Sequence, residues 1–188
     1  MLTREEKHEL LSIARESIAH ALVGGGKPTD DKYPKLRKIE GRLALPSGAF
    51  VTLRLGRDLR GCIGFIVSDQ PLADVVAEVA VKSATEDPRF VPMTQSELAR
   101  ATIEISILSP PRQVIDFAEI EVGRHGLIVE LGRLRGLLLP QVATEYGWDR
   151  ETFLDQTARK AGLPPKAWRE PDAKVYLFSA EIIEEQPE

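Results

Sequence analysis

Phe50-Val51-Thr52-Leu53-Arg54-Leu55-Gly56-Arg57-Asp58-Leu59-Arg60-Gly61-Cys62-Ile63-Gly64-Phe65-Ile66-Val67 is the stretch on which the fold turns. Its first part, Phe50 to Leu55, alternates as a strand does, with Val51, Leu53 and Leu55 on one face. Arg57-Asp58 after Gly56 has turn chemistry. Leu59 to Val67 reads as a second strand with Gly61 and Gly64 inside it. Glycine within a strand marks a bulge or a close approach of backbone or ligand. Two strands this close in sequence must pair as a hairpin, so the sheet is antiparallel here.

The same pattern extends outward. Thr102 to Leu108 alternates cleanly, Ile103, Ile105 and Ile107 on one face and Thr102, Glu104 and Ser106 on the other. Pro110-Pro111 ends it. Leu127 to Leu131 and Leu134 to Leu139 flank Gly132-Arg133, which suits a type II′ hairpin turn. Val175 to Ile183 is a final strand. Helices lie between groups of strands rather than after each one. The first is capped by Thr3 and Glu6 at capping-box spacing, carries Leu10, Leu11, Ala14, Ile18, Ala21 and Leu22 as its stripe, and is stopped by Gly24 to Gly26. Lys27 to Arg37 reads as a loop. Pro71 starts a second helix with Leu72, Val75, Val76, Val79 and Ala80 buried. Asp87 to Pro92 is a turn-rich connection, and Thr94 caps a short helix through Arg100. Asp149 caps a further helix with Trp148 and Phe153 placed as a staple, and Gly162 ends it. This arrangement predicts an α+β fold, a mostly antiparallel sheet flanked by helices.

Composition narrows the function. The chain has 188 residues, enough for one domain, or one domain with two lobes, that buries roughly 70% of its unfolded surface. A net charge of −4 supplies no positive field, so nucleic acid is not an expected partner. No apolar run has the length of a membrane span, and Met1 to Glu9 lacks an apolar signal core. The cytoplasm is therefore the expected location, where a lone thiol stays reduced. The absence of asparagine, with arginine prevailing over lysine, fits a hot habitat and a GC-rich genome equally.

One cysteine excludes an internal disulfide and every multi-thiolate metal site, an iron–sulfur cubane included. His8, His20 and His125 form no metal-ligand spacing, so no metal is expected. Gly24 to Lys27 fails as a phosphate loop, because Ala21 and Pro28 stand where such a loop needs Gly and Ser or Thr. Cys62 is the most specific feature. If its strand stays regular, Arg60 points to the same face and favours the thiolate. The opposing interpretation is a buried cysteine acting as a small hydrophobe. His125, outside the first helix, is the candidate base, or else a turn histidine bonded locally. Glu104 is the candidate orienting carboxylate, or else a solvent-facing strand residue. Arg54, Arg57 and Arg60 concentrate positive charge near the thiol, diluted by Asp58. A second Leu-Arg-Gly, Leu134-Arg135-Gly136, occurs without a thiol, so the tripeptide also serves as scaffold.

Leu59-Arg60-Gly61-Cys62-Ile63-Gly64 resembles the characteristic hexapeptide of the AMMECR family. Asp87-Pro88-Arg89-Phe90, Glu104 to Pro110, His125-Gly126-Leu127, Leu138 to Val142 and Lys160 to Leu163 resemble later blocks in the same order. Phe65 departs from the pattern, standing where a small hydroxyl residue is expected. The resemblance implies an α+β fold with a larger and a smaller lobe, the Cys62 segment near a cleft. The family includes a component of the AmmeMemoRadiSam system, so Memo-like and radical S-adenosylmethionine proteins are the implied partners. It specifies no cofactor and no reaction. Two expectations follow. One is an enzyme acting through Cys62, with His125 as base, Glu104 orienting and Arg60 as stabiliser. The other is a non-catalytic module in which Arg60, Gly61 and Gly64 shape a cleft for a ligand or a protein.

Overall fold

The computed structural model describes residues 1–24 and 39–185; the loop expected at Lys27 to Arg37 lies outside them. The chain divides into two compact units, Met1–Leu108 with the chain end from Glu181, and Ser109–Ala180.

In the first unit, α1 (Arg4–Gly24) starts at the expected capping box. The Glu6 amide donates to Thr3 Oγ1 at 3.1 Å and the Thr3 amide to Glu6 Oε2 at 2.8 Å. β1 (Ala49–Leu55) and β2 (Asp58–Phe65) form the hairpin, turning at Gly56, whose φ of 62° is cheap only for glycine. β3 (Ala101–Leu108) pairs antiparallel with the other side of β1. Val51, Leu53, Ile103 and Ile105 are fully buried on one face of this sheet. α2 (Leu72–Thr85) packs on β1 and β2, and α1 packs in turn on α2. That sandwiching explains why α2 is buried beyond its expected stripe, at Ala73, Ala77, Val81, Ser83 and Ala84 as well. Each fully buried Leu or Ile contributes about 2 kcal/mol. α3 (Gln95–Leu98) is the short helix capped by Thr94.

The second unit is built on β5 (His125–Leu131), β6 (Leu134–Leu138) and the first part of β7 (Lys174–Glu184). β5 lies between β6 and β7, all antiparallel, and the two-residue β4 (Arg112–Gln113) lies along the other side of β7. Gly132 has φ 61° and Arg133 does not have a positive φ, in keeping with a type II′ turn. α4 (Pro140–Glu145) was not foreseen, although Pro140 sits where helices accept proline. α5 (Arg150–Lys160) begins at Asp149, whose carboxylate takes the Thr152 amide at 2.8 Å. Phe153, Leu154 and Ala158 bury against Leu127, Val129 and Trp168. Antiparallel sheet with flanking helices is thus the architecture in both units. No described helix is long and apolar enough to cross a membrane.

Candidate functional site

The strand carrying Cys62 is not regular. β2 pairs with β1 through Thr52↔Cys62 and Leu53↔Gly61, and then Arg54 faces Leu59. Arg60 is the extra residue of a bulge, which bends the strand and re-aims its side chain. The condition under which Arg60 and Cys62 share a face, an unbroken pleat, is not met. Arg60 is only 8% exposed and holds Glu97 with both ends of its fork, Nε to Oε1 at 2.9 Å and Nη2 to Oε2 at 3.2 Å. Its remaining Nη1 has no hydrogen-bond partner, and the guanidinium carbon lies 5.8 Å from the Phe90 ring centre. Glu97 also takes the Thr94 amide at 2.8 Å, so one carboxylate serves both the Arg60 pair and the α3 cap. These donors hold its pKa down at about 2, the Arg60 hydrogen bonds contributing most.

The glycines of the hexapeptide are explained by packing. A Cβ on Gly61 would collide with the Ser83 carbonyl of α2, and one on Gly64 with Phe50 and the Ala49 carbonyl. Ser83 ties the same two elements together. Its hydroxyl takes the Ile63 amide and donates to the Val51 carbonyl, both at 2.8 Å.

Asp87 and Arg89 clasp the Cys62 backbone. The Cys62 amide donates to Asp87 Oδ2 at 2.9 Å, and Arg89 Nη2 lies 3.5 Å from the Cys62 carbonyl. Arg89 grips Asp87 through Nε at 2.9 Å and Nη2 at 2.7 Å, and these bonds, helped by the Cys62 and Arg89 amides and opposed by burial, drive the Asp87 pKa far below the usual carboxylate range. The charge nearest in effect to the thiol is therefore Arg89, not Arg60. The thiol itself accepts from Thr52 Oγ1 at 3.4 Å. Burial pushes its pKa up. The Thr52 hydrogen bond and Arg89 oppose that rise, while Asp87 and Glu104 add to it. A protonated thiol is a poor nucleophile.

Glu104 stands on β3 opposite Thr52, so Cys62, Thr52 and Glu104 form one row across three strands. His125 begins β5 in the second unit, where its Nδ1 accepts the Glu121 amide at 3.1 Å. A neutral imidazole that accepts at Nδ1 carries its proton on Nε2 and has no free base position. Thr52, Ser83 and Glu97 were not singled out from the sequence, and Asp87 and Arg89 stood there in a turn-rich connection and a family block without a site role. Their role depends on contacts between residues 10 to 37 positions apart, and no local pattern reports those. Among the described residues no group of His, Cys, Asp and Glu could hold a metal ion. A cavity of about 450 Å³ lined by Phe117, Leu154, Trp168 and Arg169 belongs to the second unit and does not contain Cys62.

The AMMECR1 family model matches residues 11–183. The chain belongs to the AMMECR1 family. A relative from Methanopyrus kandleri is 45% identical over 98% of this chain and 91% of its own length. One from Thermococcus gammatolerans is also 45% identical, over 94% of this chain and 89% of its own. The crystal structure of an uncharacterised protein from Pyrococcus horikoshii superposes with a TM-score of 0.87 at 41% identity, covering 98% of this chain and 94% of that one. The Leu59–Gly64 segment of this chain is thus part of a bulged strand whose arginine, both glycines and the Cys62 and Ile63 amides are engaged in packing and hydrogen bonds.

Proposed function

We propose that this chain is a non-catalytic binding component, in which the Leu59–Gly64 segment shapes a recognition surface and the Cys62 thiol remains protonated. The observation that carries this reading is the state of the segment. Arg60 is committed to Glu97, Gly61 and Gly64 admit close packing, and burial raises the thiol pKa. A thiol-based enzyme would call for the reverse, a depressed pKa and a free base. Family membership supports a place beside Memo-like and radical S-adenosylmethionine proteins, as a component that holds no cluster of its own.

Iodoacetamide alkylation of Cys62 as a function of pH tests the state of the thiol. The expected profile rises only at alkaline pH, later than that of a free thiol; rapid reaction well below pH 8 overturns the reading in favour of thiolate chemistry with Cys62, His125 and Glu104. Titration calorimetry with the purified Memo-like protein of the same organism tests the partner. Binding that survives Cys62→Ser and is lost in Arg60→Ala is expected. Absence of binding by the wild-type chain removes that partner, and loss in Cys62→Ser alone removes the non-catalytic reading.

A further inference from the structure

Arg54 is set apart among the cations of the described residues. Among the described residues it is the one Lys or Arg side chain that is partly buried and has no carboxylate, carbonyl or aromatic partner. Each comparable side chain is engaged: Lys7 with Glu181, Arg15 with Glu185, Arg60 with Glu97, Lys82 with Glu78. Across the two ladders Arg54 faces Leu59 on one side and Thr102 on the other, neither of which can neutralise it. Period 2 places Arg54 on the same face as Thr52, about 7 Å along β1. Thr52 is the residue that faces Cys62 across one ladder and Glu104 across the other. Desolvating a cation without a counter-charge costs free energy that an incoming anion restores, and the planar fork of arginine matches carboxylate and phosphate oxygens two at a time.

We infer that Arg54 is the oxyanion contact of this face, receiving the carboxylate or phosphate group of a small ligand beside the Cys62–Thr52–Glu104 row. The inference rests on the binding reading and names the ligand class for it. Thr52 lies two residues back along β1, Thr102 faces Arg54 across the ladder, and Glu104, opposite Thr52, is the carboxylate of the same face.

The native thiol serves as the reporter. Iodoacetate is an anion and iodoacetamide is its neutral counterpart; both alkylate sulfur with loss of iodide. Their rate ratio at Cys62 cancels the thiol's own protonation and measures only attraction for the anion. In wild type the ratio exceeds that of a free thiol, and inorganic phosphate lowers it. Arg54→Gln reduces it about fivefold, the scale of one charge acting over a few ångströms near a surface. Arg54→Lys retains most of it, and Arg57→Gln, altering an exposed turn arginine, leaves it unchanged. An equal ratio in wild type and Arg54→Gln overturns the inference, as does an equal fall in Arg57→Gln or indifference to phosphate. Where the thiol reacts too slowly with both reagents, the Arg54 Nε–H resonance followed through a phosphate titration decides, a static resonance overturning the inference. A thiolate-like pH profile would overturn the protonated-thiol reading while leaving this ratio as informative as before.

Discussion

The two Leu-Arg-Gly stretches of this chain begin alike and end differently. In both, the glycine lets a helix backbone close onto a strand: a Cβ on Gly61 would meet the Ser83 carbonyl of α2, and one on Gly136 the Ala161 amide at the end of α5. The arginines diverge. Arg135 stays in register opposite Glu130 and pairs with it across the ladder at 2.9 Å, in an exposed position. Arg60 is pushed out by a bulge, buried, and paired with Glu97 instead. Register therefore decides what the tripeptide does. With register kept, the arginine is spent on an ordinary cross-strand pair. With register broken, it locks a loop and helix onto the strand.

The strongest way to probe the shared half of this comparison is at the glycines. Gly61→Ala and Gly136→Ala should each lower stability by about 3 kcal/mol, since backbone rather than a flexible side chain must move. Urea unfolding measures both; a loss in one and not the other would break the parallel. The divergent half is probed at the carboxylates. Glu97→Ala strands the Arg60 guanidinium and should cost about 2 kcal/mol, towards the low end for a buried pair because Glu97 keeps some exposure.

Acid probes the same pair without mutation. Glu97 and Asp87 both have carboxyl pKa values depressed in the folded state, Glu97 to about 2. Groups of that kind contribute stability that is fully present above their unfolded values near 4 and is lost as pH falls through the folded ones. Urea midpoints should decline from about pH 4.5 towards pH 2, and Glu97→Gln should decline less steeply than wild type over that range. An unchanged slope would mean that the Arg60 pair carries no pH-dependent stability. The smallest effect belongs to Arg135→Ala, which should fall within about 0.5 kcal/mol of wild type because its pair is solvated. A larger loss would erase the distinction between the two arginines.

What was legible in the sequence was whatever has a local cause. The Thr3–Glu6 and Asp149 caps act within one helical turn. The Ile103-Ile105-Ile107 alternation follows from the pleat. Gly132 and Gly162 supply the positive φ that their turns require. Gly61 and Gly64 announced a bulge or a close approach, and both occur, yet which residue the bulge expels is not written locally. α4 and β4 were missed because six and two residues are too few to show a period.

The sequence by itself determined the α+β class, the helix caps at Thr3 and Asp149, the core faces of the long strands and the family. Each of these is set by interactions within a few residues or by pattern over the whole chain. Only the tertiary structure decided the environment of the single thiol. Asp87 and Arg89 lie 25 and 27 positions beyond Cys62, and Glu97 lies 37 beyond Arg60. Folding α2 back over the hairpin is what brings them there. Charge at a site follows from which side chains burial forces to pair, and that is a property of three-dimensional neighbours. It is why the arginine of Leu59–Gly64 is occupied by a carboxylate 37 positions further along the chain.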